Sequence, residues 1–381
     1  MSAPLAGVVV VSLEQAISAP FATRQLADLG ATVLKVERPE GDFARHYDSV
    51  VQGESAFFVW ANRGKQSIAL DLKDPDDLAT FGALVAGADV FVHNLSPRAA
   101  ERLGIDAATL HARHPHLVAA EISGYGHGGP RTDDKAYDLA IQAEAGVFSV
   151  TGDQQMSKVG FSVADICAAM YALSGILAAL VRRERTGEGA AVSVSMLDVL
   201  AEWVSAPLYN AVYGAGQSAR TGRRHHAIAP YGTFRLADGS TVLVAVQSDG
   251  EWRSLAEHVL LDPALGEDPR FATNAARIAN VDVLEEVLAA GLAGVDADEA
   301  RARLARGRIA TARVNDLRGV WEHEQLRARG RFDQVSTPSG VIEMLASPFD
   351  LSDLPPSTPR VPALGEHDPD LVARIRERGT P

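Results

Sequence analysis

Strands and helices alternate through the first third of the chain, and that alternation restricts the fold more than any other feature. Val8–Leu13 reads as a buried strand, Ala19–Leu29 as a helix ended by Gly30, and Thr32–Val36 as the next strand. A helix around Asp76–Ala86, a strand Asp89–His93, a helix Ala99–Leu103 and a strand Leu117–Ile122 follow. Such a succession predicts an α/β fold with a parallel sheet and right-handed crossovers. The architecture is Rossmann-like, but no G-x-G-x-x-G follows the first strand, so the dinucleotide fingerprint is absent.

The pattern changes further along. An apolar run, Val163–Val181, leads to Thr186-Gly187, where glycine suits a left-handed helix end. The run is about as long as a membrane span. It is rich in small residues and no second span accompanies it, so it reads as the centre of a large soluble core. Ala191–Met196 is another strand. Tyr231–Leu236 and Thr241–Val246 flank Asp238-Gly239, a hairpin signal. Helices Trp252–Val259, Val283–Ala293 and Asp298–Ala305 follow, with Asp298 as a natural N-cap. Phe332–Val335 and Val341–Met344 read as a second hairpin around Pro338-Ser339-Gly340.

The 381 residues therefore divide into a large α/β domain over 1–200, a linker over 201–224 and a smaller α+β domain over 225–325. A C-terminal segment, 326–381, returns to the large domain, with Pro355, Pro356, Pro359 and Pro362 running over its surface.

A formal net charge of −13 argues against a nucleic-acid partner, which needs a basic field. No membrane partner is expected either. The lone cysteine, Cys167, cannot form an internal disulfide, and no basic-then-apolar leader is visible, which points to the cytoplasm.

Several residues could carry chemistry. Asp165 sits at the mouth of the apolar helix. A carboxylate there either caps the helix or is placed to react, and the helix N-terminus should keep it ionised at pH 7. Gly160-Phe161-Ser162-Val163-Ala164 is a near miss to a serine nucleophile elbow, with His225, His226 or His367 as later bases. His111, His114 and His116 crowd one segment, but Pro115 breaks a helix there and no partner completes a metal set, so no metal is expected. Lys35, Arg38, Lys73 and Arg102 recur near the ends of the early strands. Ligands of open α/β sheets bind at that edge, and four cations suit a ligand with several phosphates or, equally, ordinary surface charge.

Taken in order, a set of short motifs resembles the family III CoA-transferases, which share their fold with α-methylacyl-CoA racemases. The matching pieces include Leu5-Ala-Gly-Val-Val-Val-Val-Ser-Leu13, Leu29-Gly-Ala-Thr-Val-Leu-Lys-Val-Glu-Arg38, Asn62-Arg-Gly-Lys65, Leu70-Asp-Leu-Lys73 and Asp89-Val-Phe-Val-His-Asn94. Arg102-Leu-Gly104, Gly124-Tyr-Gly-His-Gly-Gly-Pro130, Arg185-Thr-Gly-Glu-Gly189 and Ala229-Pro-Tyr-Gly-Thr-Phe234 complete the set, which runs from Leu5 to about Phe349.

The resemblance implies that Asp165 is the nucleophile, forming an aspartyl–acyl anhydride and then an aspartyl–CoA thioester. It implies coenzyme A as co-substrate, lined by Arg38, Leu72, Lys73, Asn94, Leu95, Arg102, Lys135 and Tyr137. It also implies an interlocked homodimer. Tyr137 stands where the racemases carry a histidine, and a phenol with a pKa near 10 is a poor proton acceptor at neutral pH. Ile17 and Ser18 precede Ala19-Pro20, where formyl-CoA transferase carries a glutamine, and that enzyme's glycine-rich lid is not matched. Arg223-Arg-His-His226 instead looks like members acting on C4–C5 dicarboxylates such as succinate, itaconate, mesaconate, malate or citramalate. Ile17, Arg224 and His226 are thus candidate acyl and carboxylate contacts, against the plainer reading of surface charge and loop packing.

Overall fold

The computed structural model describes residues 3–214, 216–217, 219–351 and 359–379. The chain forms two compact units. One comprises Met1–Val147, Val159–Ala206 and Gln325–Pro381; the other comprises Phe148–Lys158 and Pro207–Glu324. The second unit thus starts earlier than residue 225 and takes in a short upstream segment that local patterning does not mark.

The first unit is built on a six-stranded sheet: β1 (Val9–Leu13), β2 (Thr32–Glu37), β3 (Lys65–Ala69), β4 (Val90–His93), β5 (Val118–Ser123) and β6 (Ala190–Ser195). Every pairing is parallel and the order is β3-β2-β1-β4-β5-β6. Strand order reverses between β1 and β4, and open α/β sheets bind ligands in the crevice at such a switch point.

Side chains alternate across the sheet with period two. Val10, Val33, Val90, Val92, Val118 and Ala120 face one core, shared with the helices Ser18–Asp28 and Val163–Thr186. Val9, Val11, Leu34, Phe91 and Ala119 face the other, shared with the helices Pro75–Ala86, Ala107–Arg113 and Pro369–Gly379. The Val163–Thr186 helix is the described helix long and apolar enough to cross a membrane, yet more than half of its apolar stretch is buried inside the unit. It ends at Gly187, whose φ of 77° is the left-handed conformation expected there.

Strand β3 has no sequence-based counterpart, because Lys65-Gln-Ser reads as polar. Tertiary partners satisfy those groups: Lys65 bonds Glu14 at 2.7 Å, and Ser67 Oγ donates to Glu37 at 2.6 Å. The C-terminal segment also lies in this unit. The Gly64 N–H donates to the Arg360 carbonyl, and Val361 is buried. Pro359 and Pro362 are part of this path; Pro355 and Pro356 lie outside the described residues. The second hairpin, β10 (Phe332–Thr337) with β11 (Gly340–Leu345), is antiparallel and packs Val335 against Phe58 and Val59.

The second unit holds an antiparallel sheet of β7 (Tyr231–Arg235), β8 (Thr241–Ala245) and β9 (Ala310–Arg313) in that order. Its core gathers Trp252, Phe271, Leu284, Leu288 and Leu304, with Trp252 and Phe271 edge to face at 5.8 Å. The helix expected from Asp298 spans Ala297–Arg306, and its cap is Asp296, whose side chain accepts from the Glu299 N–H. Asp298 lies in the first turn instead, where an acid still suits the helix dipole.

Candidate active site

A cavity of about 660 Å³ opens at the carboxyl edge of the first unit's sheet, with residues from the loops after β1, β4 and β5 and from the start of the long helix. These loops flank the switch point. Asn94, just after β4, reaches across it to the loop after β1: its Nδ2 donates to the Gln15 carbonyl (2.8 Å), and its Oδ1 accepts from the Gln15 N–H (3.0 Å). Ala16 is left-handed, with φ 59°, a conformation that costs a non-glycine residue about 1–3 kcal/mol. Its N–H donates to Asp42 Oδ1 at 3.1 Å, which helps to hold the turn.

Behind that turn lies a buried ionic cluster. Lys35 is fully buried, pairing with Asp42 at 2.8 Å and with Glu14 at 3.7 Å; Lys65 pairs with Glu14 at 2.7 Å. Burial opposes the charge on Lys35, but Asp42, Glu14 and Glu37 outweigh it and raise its pKa. Lys35 is therefore a structural cation and not part of the exposed row expected along this edge. A lysine in β2 points into the sheet's ionic cluster once β1 and β3 surround it, which spacing alone does not show.

Asp165 stands on the third residue of the Val163–Thr186 helix and lines the cavity. It does not cap that helix, and neither does Ser162, which occupies the N-cap position without a side-chain capping bond. Asp138, from the helix Asp138–Glu144, takes that role: its Oδ1 accepts from the Ala164 N–H (2.7 Å) and the Asp165 N–H (3.3 Å). The fully buried Gln142 donates to Asp138 Oδ2 at 2.7 Å and accepts from the Val159 N–H at 2.9 Å. With the helix terminus satisfied from outside, the Asp165 side chain is released from capping.

The expectation that Asp165 stays fully ionised at pH 7 does not hold. Burial and the neighbouring Asp138 charge push its pKa up to about 7, against a hydrogen bond from Ser18 that favours the ionised form. The helix N-terminus stabilises an anion, but Asp138 already occupies it. Tyr47 also lines the cavity; burial and the charges of Asp42 and Asp165 push its phenol up to about 12.

Ile17, Asn94, Leu95, Lys135 and Tyr137 all line the cavity with Asp165. Lys135 and Tyr137 come from one loop that packs tightly on β5: a Cβ at Gly124 would lie 2.0 Å from the Ala136 Cβ, so only glycine fits. Arg38 and Leu95 line a smaller crevice of about 70 Å³ that shares Gln15 and Leu95 with the cavity. Leu72, Lys73 and Arg102 line neither, although they follow β3 and β4 along the same edge. Lys73 and Arg102 are exposed; Leu72 packs on the core.

Arg224 and His226 belong to the second unit. Arg224 is engaged there by Asp282 (3.1 Å) and Glu285 (3.6 Å). His226 is exposed and stacks on His225 at 4.8 Å.

The serine-hydrolase geometry is not assembled within the cavity. Ser162 lines it, but no histidine does, and His367 Nδ1 is turned to the Ser67 and Gly365 carbonyls. Cys167 is buried, and burial pushes its thiol up to about 12. His114 and His116 contact each other edge to face at 6.2 Å. Among the described residues no cluster of three or more His, Cys, Asp or Glu side chains is placed to hold a metal. Sequence reasoning missed Ser18, Asp138, Gln142 and Tyr47. Asp138 had a readable signal, an acid opening a helix directly after Tyr137.

The model of CoA-transferase family III matches residues 5–368. The chain belongs to CoA-transferase family III. Among its relatives, a succinate–glutarate CoA-transferase of Agrobacterium fabrum is 33% identical over 98% of this chain and 96% of its own length. An acetyl-CoA:oxalate CoA-transferase of Acetobacter aceti is 34% identical over 95% of this chain and 93% of its own. A solved CAIB/BAIF family protein from Brucella suis superposes with a TM-score of 0.86 at 32% identity, covering 98% of this chain and 100% of that one. Membership in this family implies coenzyme A as a substrate.

Proposed function

We propose that this family III CoA-transferase moves CoA from an acyl-CoA donor such as succinyl-CoA to a short dicarboxylic acid, with Asp165 as the nucleophile. One observation carries the reading: a carboxylate freed from helix capping, lining the switch-point cavity, with a pKa near neutrality. An Asp165 carboxylate oxygen attacks the thioester carbonyl, and the C–S bond breaks to give an aspartyl–acyl anhydride and CoA thiolate. The thiolate then attacks the Asp165 carboxyl carbon, releasing the donor acid and leaving an aspartyl–CoA thioester. An incoming dicarboxylate repeats the sequence in reverse order. In this reading Arg38, Lys73, Arg102 and Lys135 hold phosphates, while Leu72 and Leu95 cover the adenine and pantetheine. Asn94 and Tyr137 border the thioester arm. Ile17 contacts the acyl chain; Arg224 and His226 answer the distal carboxylate, for which Arg224 must leave Asp282. The enzyme works as a cytoplasmic homodimer, which light scattering tests.

The racemase reading of the same fold needs a second base beside Asp165. Tyr137 occupies the cavity wall, and no histidine lines it. Turnover in heavy water separates the two, with succinyl-CoA, a branched 2-methylacyl-CoA and free acids from oxalate to citramalate. New CoA thioesters without α-deuterium support transfer and name the acceptor. Deuterium entering the branched thioester without exchange overturns it.

A further inference from the structure

A buried amide sits where the helix Asp138–Glu144 meets the start of the long helix. Gln142 is fully buried and stands outside the cavity wall. Its Oε1 accepts from the Val159 N–H at 2.9 Å, which fixes the sense of the amide, since only the oxygen can accept there. Its Nε2 is thereby turned to Asp138 Oδ2 at 2.7 Å and to the Phe161 carbonyl at 3.4 Å. With Oδ2 held, Asp138 presents Oδ1 to the Ala164 and Asp165 N–H groups. One side chain thus pins the segment that enters the long helix, at Val159 and Phe161, together with the carboxylate that caps it. The footing is firm: Ile141, next to Gln142, is buried in the same core as Ala164 and Ala168. The helix that carries Gln142 also starts directly after Tyr137, which lines the cavity with Asp165.

We propose that Gln142 is a positioning residue for the transfer: by locking Asp138 and the Val159–Phe161 segment against the first helical turn, it sets where the Asp165 carboxylate meets the thioester carbonyl. The inference rests on the aspartyl mechanism proposed above. Asp165 is the third residue of its helix, so the place of its carboxylate follows the place of that turn. The first four N–H groups of a helix have no partner within it, so the turn depends on Asp138 for its register. In the attack, a carboxylate oxygen bonds to the acyl carbon, the C–S bond breaks and the sulfur leaves as CoA thiolate; Gln142 exchanges no proton. The attacking oxygen must stand about 3–3.5 Å from the acyl carbon, and a shift of about 1 Å caused far from the reacting atoms can cost about 10²-fold in rate. Gln142 is neutral, so its loss alters that geometry without adding or removing charge, and it leaves the contacts to the CoA phosphates in place. Asp138 cannot separate the two effects, because it both holds the turn and brings the like charge.

The test compares wild type, Gln142→Met and Gln142→Glu in exchange of isotope-labelled succinate into succinyl-CoA, with rapid acid quench and intact-protein mass spectrometry. Gln142→Met keeps the length of the side chain and removes both hydrogen-bonding ends. It should lose about 10–10²-fold in kcat with KM for succinyl-CoA within about threefold, and the acyl adduct on Asp165 should form more slowly by the same factor. Gln142→Glu keeps the acceptor for Val159, and the introduced carboxyl donates to Asp138 only while protonated. Its kcat relative to wild type should therefore fall between about pH 6 and about pH 8, a trend that a loss of packing does not produce. A Gln142→Met loss below about threefold, or one carried by KM alone, would overturn the proposal. Should that variant fail to fold, Gln142→Glu decides alone, and a ratio to wild type that stays flat with pH overturns it. A wild-type enzyme that exchanges succinate with neither an acyl nor a CoA adduct on Asp165 would overturn the aspartyl reading itself, whatever Gln142 does.

Discussion

Two groups of carboxylates lie at the same edge of the sheet and meet opposite fates. Beyond β1 to β3, Glu14, Glu37 and Asp42 are matched by Lys35, Lys65 and Arg45. Burial alone would raise Glu37, but Arg45, Lys35 and Ser67 hold it down to about 2. Beyond β5, burial raises Asp165 and the like charge of Asp138 adds to it, to about 7. Burial pushes both in the same direction, and the sign of the neighbour decides the outcome. The first group ties loops together; the second leaves a carboxylate poised between its two protonation states. The contrast teaches that a charged residue at a ligand-binding edge is no guide to its job until its neighbours are known.

The largest effect that could break this comparison is on turnover. Asp165→Ala should abolish succinate exchange, a loss of at least about 10⁴-fold, with folding intact by circular dichroism. Exchange at wild-type rate would end the assignment. Next comes stability in the paired group. Lys35→Met leaves Asp42 buried without its cation and Glu14 with Lys65 alone, and should cost about 3–5 kcal/mol in denaturant unfolding. A loss under about 1 kcal/mol would mean that the buried Lys35 pair contributes no more than an exposed one.

Asp165 should itself burden the fold. Its folded pKa is above the unfolded value of 3.8, so the protein is penalised as pH rises from about 4 to about 7, and fully above 7. Asp165→Asn should therefore raise stability by roughly 2–4 kcal/mol at pH 8 and leave it unchanged below pH 4. Urea unfolding at both pH values checks this, and a gain at low pH would contradict it. Glu37 carries the opposite sign. Its pKa is depressed, so its contribution is complete above about 4.5 and is lost as pH falls toward 2; Glu37→Gln should be destabilised at pH 7 and match wild type near pH 2. The smallest effect concerns the neighbour. Asp138→Asn keeps an acceptor for the helix terminus but removes the like charge, so the acid limb of kcat/KM should fall by up to about one pH unit. A limb that does not move would leave burial as the only cause.

Much of this was legible in the chain. The alternation through β1, β2, β4 and β5, the Gly187 helix end and the Asp-Gly hairpin are local, short-range signals, and each sits where the pattern places it. Asp165 was visible because a lone acid in a long apolar run is rare. Strand β3 was hidden because its polar residues find partners 30 to 51 positions away. Helix capping misled at Asp298, where Asp296, earlier in the chain, is the cap, and at Asp165 the sequence left cap and reacting group open because the actual cap, Asp138, comes from another helix.

By itself, the order of apolar runs and turn residues determined most of the sheet and its parallel sense, and it marked Asp165 as a lone acid at the mouth of an apolar helix, since these depend on spacing along the chain. Tertiary structure alone decided which lysine is buried, which aspartate caps, and what pKa Asp165 carries. Those are set by Coulomb terms and desolvation between groups far apart in sequence and a few ångströms apart in space, where one misplaced neighbour reverses the sign.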